Sequence, residues 1–316
     1  TLGGKLQILD PSTKALRVLA ETRNQFGGVT WSPDAKEIAY TTPGEVEFSY
    51  FVNGHIEVRP VDGGPARKVS GAVDEQPILV DWTARGIYFL ARNKTSMNAY
   101  IANSSTDSPR ELSLPSGWTL NGVSLTKSLD KVAFIGASTS QNLEVYVTPS
   151  SSWAPQAVTN LKAQWAKFQP ARREVVSWKS KDGATIEGIL FTPQNFDRTK
   201  KHPLLVIIHG GPSGIDLPYV TPDSYYPAEQ FVAKGGLVLR PNYRGSIGYG
   251  AKFRALNVGN LGVGDAWDVL SGIDHLIGKG FVDGARVGSM GWGQGGYISA
   301  FLATAHADRF KALSVG

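Results

Sequence analysis

With 316 residues, the chain is long enough for two modest domains or one large one, and its 41% hydrophobic and 19% charged composition with 36 glycines is that of a folded, turn-rich globular protein. The net charge of +5 comes from 32 basic and 27 acidic side chains scattered along the sequence, which argues against a nucleic-acid-binding stripe. Cysteine is absent, which excludes disulfides and thiolate chemistry, and the histidines at 55, 202, 209, 275 and 306 show no ligand spacing, so neither a metal nor a cofactor is expected.

No apolar run approaches the roughly 20 residues that cross a bilayer, and the first residues lack a signal-peptide pattern. A soluble chain without membrane contact is expected, with cytoplasm and periplasm both compatible.

Residues 1–168 read as short alternating strands separated by turn residues, in two recurring patterns. One is a hairpin: Leu6 to Leu19 through Asp10-Pro11-Ser12, Ile56 to Val69 through Asp62-Gly63-Gly64, Tyr100 to Leu112, and Val145 to Val158. The other sets a Trp or Leu before a polar turn and an apolar strand: Trp31-Ser32-Pro33-Asp34 into Ile38-Ala39-Tyr40, Asp81-Trp82-Thr83 into Ile87 to Leu90, and Leu125 to Ser128 into Val132-Ala133-Phe134. A repeat of about 43 to 51 residues is that of a four-stranded propeller blade. The pattern predicts about three and a half blades, with further blades expected N-terminal to them; a sandwich of short strands is the competing reading. Trp31 and Trp82, recurring at one blade position, are expected to pack in the core.

Over residues 169–316 strands alternate with helices. Val175 to Trp178, a turn at Asp182-Gly183, and Ile186 to Phe191 predict a hairpin. Leu204 to Ile208 is an unbroken apolar run, as in a strand covered on both faces; Gly236 to Leu239 and Arg286 to Met290 follow. Helices are predicted over Pro227 to Lys234 and over Ala266 to Ile277, the latter with Asp265 as N-cap and Gly278 as stop. This alternation predicts a doubly wound, mostly parallel sheet.

Two motifs carry chemistry. Val287-Gly288-Ser289-Met290-Gly291-Trp292-Gly293-Gln294-Gly295-Gly296-Tyr297 runs from a strand through glycines into a helix, in the frame of a G-x-S-x-G nucleophile elbow, with Gly293 where the serine stands. Glycine adopts the strained elbow backbone without penalty but offers no oxygen for attack. A dinucleotide site is the alternative for such a turn, although the spacing is G-x-G-x-G-G and the turn falls late in the sheet. The second motif, His209-Gly210-Gly211-Pro212 after the apolar run, has the form of an H-G-G oxyanion loop.

Together with Asn242-Tyr243-Arg244-Gly245-Ser246 and Gly248-Tyr249-Gly250, these motifs resemble the prolyl oligopeptidase family, most closely its acylaminoacyl-peptidase and dipeptidyl-peptidase branch. The resemblance implies an α/β-hydrolase domain preceded by a partial β-propeller, and a serine peptidase acting on short peptides through an acyl-enzyme, with the propeller as a size filter. It places the nucleophile at Gly293, the oxyanion hole at the backbone N–H groups of Gln294 and Gly211, and the start of the oxyanion loop at His209. Tyr243 and Arg244 are the candidate substrate-binding residues. The family's acid and histidine follow the nucleophile in chain order and are expected beyond Gly316; His306 and Asp308 are read as surface residues. The chain is therefore expected to be inactive. The expected partner is a short peptide, and a homo-oligomer is compatible with the sequence. A non-catalytic peptide-binding pseudoenzyme and an esterase of the same fold are the alternatives.

Overall fold

The computed structural model describes residues 3–112, 114–115, 117–138, 141–220, 223 and 225–316. It divides into two compact units, one formed by Thr1–Gly136, Val145–Val158 and Gly248–Ala251, the other by Ala137–Glu144, Thr159–Ile247 and Lys252–Gly316.

The first unit is all β. A two-stranded sheet, β1 (Gly4–Leu9) and β2 (Leu16–Thr22), is followed by three four-stranded sheets. These are β3 (Gly27–Trp31), β4 (Glu37–Thr42), β5 (His55–Pro60) and β6 (Arg67–Lys68); then β7 (Pro77–Thr83), β8 (Gly86–Asn93), β9 (Ser96–Ala102) and β10 (Arg110–Leu112); then β11 (Trp118–Leu125), β12 (Lys131–Ser138), β13 (Glu144–Pro149) and β14 (Gln156–Ala157). Each sheet keeps its strands in chain order, as propeller blades do.

Strand alternation sends successive side chains to opposite faces, so each blade feeds two cores. On β4, Ile38 and Tyr40 join Leu6 and Leu19, whereas Ala39, with Ile56 and Val58 of the same sheet, joins Ile87 and Phe89 of the next one. Leu90, Met97 and Ala99 face the other way, onto Trp118, Phe134 and Tyr146. The two tryptophans expected in the core differ. Both lie on an edge strand of their sheet, β7 and β3; Trp82 packs partly buried against the second of these clusters, whereas Trp31 joins none of them and is 45% exposed.

The second unit is built on one six-stranded sheet in the order β15-β16-β18-β17-β19-β20: β15 (Arg172–Lys179), β16 (Thr185–Thr192), β17 (His202–Ile208), β18 (Leu237–Asn242), β19 (Val282–Gly291) and β20 (Ala312–Val315). The first three neighbours pair antiparallel and the rest parallel. The helices are α1 (Ala228–Ala233), α2 (Gly250–Arg254), α3 (Gly264–Gly278) and α4 (Gln294–Ala305).

The apolar run of β17 is covered on both sides. Leu204, Val206 and Ile208 pack with Val269, Ile273 and Leu276 of α3 and Ile298 and Leu302 of α4, while Ile207 packs with Ala228 and Val232 of α1. This doubly wound arrangement is the α/β-hydrolase fold. Asp265, expected as the N-cap of α3, lies instead inside its first turn behind Val263. The strand expected over Gly236 to Leu239 runs on to Asn242, which carries the motif that follows it to the end of the sheet.

Candidate active site

Strand β19 ends at Gly291 and α4 begins at Gln294, so the reversal takes place at Trp292 and Gly293. Gly293 has φ 59° and ψ −122°, a conformation that costs any residue with a Cβ. Its own surroundings are open: a Cβ there would meet no atom within 4 Å. Gly295 is the opposite case, since a Cβ on it would collide with the Ile208 carbonyl at the end of β17. The elbow thus has glycine for contact at 295 and for conformation at 293, and it has room at 293 for a side chain it does not carry.

The loop after β17 lies beside this turn. A methyl group on Gly210 would fall 2.6 Å from the Trp292 carbonyl oxygen and 3.7 Å from the Gln294 nitrogen. The Gly293 N–H donates to the Gly316 carbonyl at 3.0 Å, and the Gly293 carbonyl accepts from the Tyr297 N–H at 2.9 Å. The backbone N–H groups of Gln294 and Gly211 have no acceptor among the described residues. Two free amides on adjoining turns are what an oxyanion requires.

Both turns are buttressed. The Gln294 side-chain amide donates to Asp265 Oδ2 at 3.0 Å, and Asp265 Oδ1 accepts from the Ala266 N–H at 2.8 Å; burial pushes this carboxyl above the usual aspartate range. The Tyr243 hydroxyl donates to the His209 carbonyl at 2.8 Å, and its ring stacks on the imidazole at 4.4 Å between centroids. His209 places Nε2 3.0 Å from Ser246 Oγ and Nδ1 3.0 Å from the Gly210 carbonyl. The single Ser246 hydroxyl proton goes to the Tyr243 carbonyl at 2.6 Å, so that hydroxyl offers the ring only its oxygen, and a neutral imidazole donates either to Ser246 or to the Gly210 carbonyl. Burial lowers the His209 pKa, which favours that neutral form. Further along the loop, Asn242 exchanges two hydrogen bonds with the Asp216 backbone, at 2.7 and 3.0 Å. Arg240 bridges Asp216 and Asp223 at 3.3 and 2.6 Å.

The structure brings Gly293, Gln294, Gly211 and His209 together. It does not make substrate contacts of Tyr243 and Arg244. Tyr243 is fully buried beneath His209. Arg244 is 1% exposed and committed to carboxylates: Nε and Nη2 donate to Asp268 at 2.9 and 2.8 Å, and Nη1 to Asp182 at 2.9 Å. A guanidinium with its fork so occupied ties the β15–β16 turn to α3 and has no donor turned to a ligand. The side chains of His306 and Asp308, past the end of α4, make no hydrogen bond among the described residues. Asp265 and Asn242 had gone unnoticed as parts of the site. Asp265 carried a signal, an acidic residue opening a helix, that admits the capping explanation equally well.

A strand, a tight turn at a positive-φ residue and a helix, with free amides from the loop after a neighbouring parallel strand, define the α/β-hydrolase class. Within that class, residues 224–315 match the model of the prolyl oligopeptidase family. Among curated proteins it is similar to dipeptidyl-peptidase 5 of Porphyromonas gingivalis, 26% identical over 290 residues that make up 89% of this chain and 41% of that protein. It is also similar to acylamino-acid-releasing enzyme 1 of Oryza sativa subsp. japonica, 34% identical over 145 residues, 46% of this chain and 16% of that one. Pyrococcus horikoshii acylaminoacyl peptidase shares the fold with a TM-score of 0.77 at 21% identity, over 98% of this chain and 47% of its own. Porphyromonas gingivalis dipeptidyl peptidase 4 does so with a TM-score of 0.75 at 17% identity, over 98% of this chain and 44% of its own. The chain spans less than half the length of each of these proteins.

Proposed function

We propose that this chain is part of a serine peptidase of the prolyl oligopeptidase type, acylaminoacyl- or dipeptidyl-peptidase-like, and that the form bearing Gly293 does not catalyse the reaction. In the active form a serine at position 293 attacks the carbonyl carbon of a short peptide. Its proton passes to a general base, and the negative oxygen is held by the N–H groups of Gln294 and Gly211. Collapse of that adduct expels the amine, which takes up the proton held by the base, and leaves an acyl-enzyme for water to hydrolyse. The supporting observation is Gly293 itself, held at φ 59° with open space above it and two free amides beside it. Glycine keeps the shape of the turn and removes the nucleophile.

The test is Gly293→Ser in the complete gene product, treated with a fluorophosphonate probe. Covalent labelling at residue 293 supports the assignment. A folded variant that retains a downstream aspartate and histidine yet stays unlabelled refutes it. Turnover of peptide against ester substrates by the labelled variant separates a peptidase from an esterase of this fold. Peptide binding without turnover by the Gly293 form identifies a binding protein.

A further inference from the structure

The sheets β7–β10 and β11–β14 are well packed at one end of their interface, where Leu90, Met97 and Ala99 meet Trp118, Phe134 and Tyr146. At the other end they stand apart around a cavity of about 870 Å³. Protein interiors hold few voids larger than a water molecule, and a space of this size matches those that take small organic ligands, roughly 300–1,000 Å³.

The lining follows from strand register. Tyr88 pairs with Ile101 and Ile101 with Arg110, so the three form one row across β8, β9 and β10, on the face that Leu90 and Ala99 share. Val123, Leu125 and Val132 line the cavity from the opposing sheet, and Trp153 contributes an aromatic wall. These apolar side chains are only partly buried, so there is free energy to be gained by covering them. Two cations stand at the cavity: Arg110 at the end of that row, and Arg85 in the turn before β8. Neither guanidinium has an acidic partner among the described residues.

We propose that this cleft between two blades binds an amphipathic monocarboxylate of fatty-acid type, with its alkyl chain between the sheets and its carboxylate on Arg85 and Arg110. Charge complementarity selects the head group, since an unpaired pair of guanidinium forks beside an apolar slot recognises a carboxylate by charge-assisted hydrogen bonds. The size of the slot and its aliphatic and aromatic walls select the tail. This site lies wholly within the all-β unit and is independent of the elbow at residue 293.

The test is calorimetric titration of the whole chain with dodecanoate below its micelle concentration, with dodecanol as a neutral probe of the same tail. One saturable site that prefers the acid over the alcohol by roughly tenfold or more is the expected result. In the double variant Arg85→Gln/Arg110→Gln, changed at two exposed side chains, acid and alcohol should bind alike. Val123→Trp, which fills the slot, should weaken both. Absence of saturable binding, equal binding of acid and alcohol by the unmodified protein, or a preference that survives in the double variant would each overturn the proposal.

Discussion

The side-chain amide of Gln294 donates to the buried carboxylate of Asp265, so the residue that follows the elbow glycine is held from beneath by the first turn of α3. The free backbone N–H of Gln294 and its anchored side chain belong to one residue, and fixing the second orients the first. Gln294→Leu leaves a buried acceptor without its donor and should cost about 1–3 kcal/mol. Gln294→Glu, which sets a second carboxylate against the first, should cost more. Urea denaturation of the two variants ranks them.

The two kinds of glycine in the elbow should respond differently to a methyl group. Gly293→Ala adds no collision but forces a Cβ into a positive-φ conformation, a penalty of about 1–3 kcal/mol. Gly295→Ala meets the Ile208 carbonyl of the neighbouring strand and should exceed it, at about 3 kcal/mol or more. Equal losses in melting experiments would mean that the close approach of α4 to β17 is wrongly drawn.

Arg244 should report on folding. Arg244→Met removes the partner of a fully buried Asp268 and should cost about 3–5 kcal/mol. Arg244→Lys should recover little of it, because one ammonium cannot reproduce the forked contacts to Asp268 and Asp182. A variant of unchanged stability would return this residue to the candidates for substrate binding.

Burial of His209 sets a pH dependence with a definite sign. Its folded pKa lies below the ordinary value of 6.5, with Asp216 pulling the other way and Arg240 adding to the depression. The unfolded chain therefore takes up a proton at this ring first as pH falls. The stability present above pH 6.5 should decline below it, by at most about 1.4 kcal/mol per pH unit from this one group. His209→Gln should flatten the stability profile between the ordinary and the depressed value. An identical profile in the variant would show that the ring protonates freely in the folded protein.

The elements were legible in the sequence where hydrophobic periodicity dominates. The run at 204–208 names a strand covered on both faces, and the glycine frame around 293 names a turn, because neither pattern has many other uses. What was not legible is what tertiary partners decide. Tyr243 and Arg244 stand in a conspicuous motif and are polar, which suggested contact with a ligand. The partners of Arg244, Asp182 and Asp268, are 62 and 24 residues away in sequence, and that of Tyr243, the His209 carbonyl, is 34 away; only the fold brings them together. The same holds for Trp31 and Trp82, which both stand on edge strands and differ only in what packs beside them.

In the all-β unit the apolar clusters lie between neighbouring sheets and not inside any one of them. The cooperative unit there is a seam, shared by two blades, so a sequence boundary drawn between repeats cuts through a core. Swapping a single blade for a homologous one should disturb two seams at once, and compensating substitutions are to be sought on the facing strands of the adjoining repeats, such as Ala39 against Ile87 or Leu90 against Trp118.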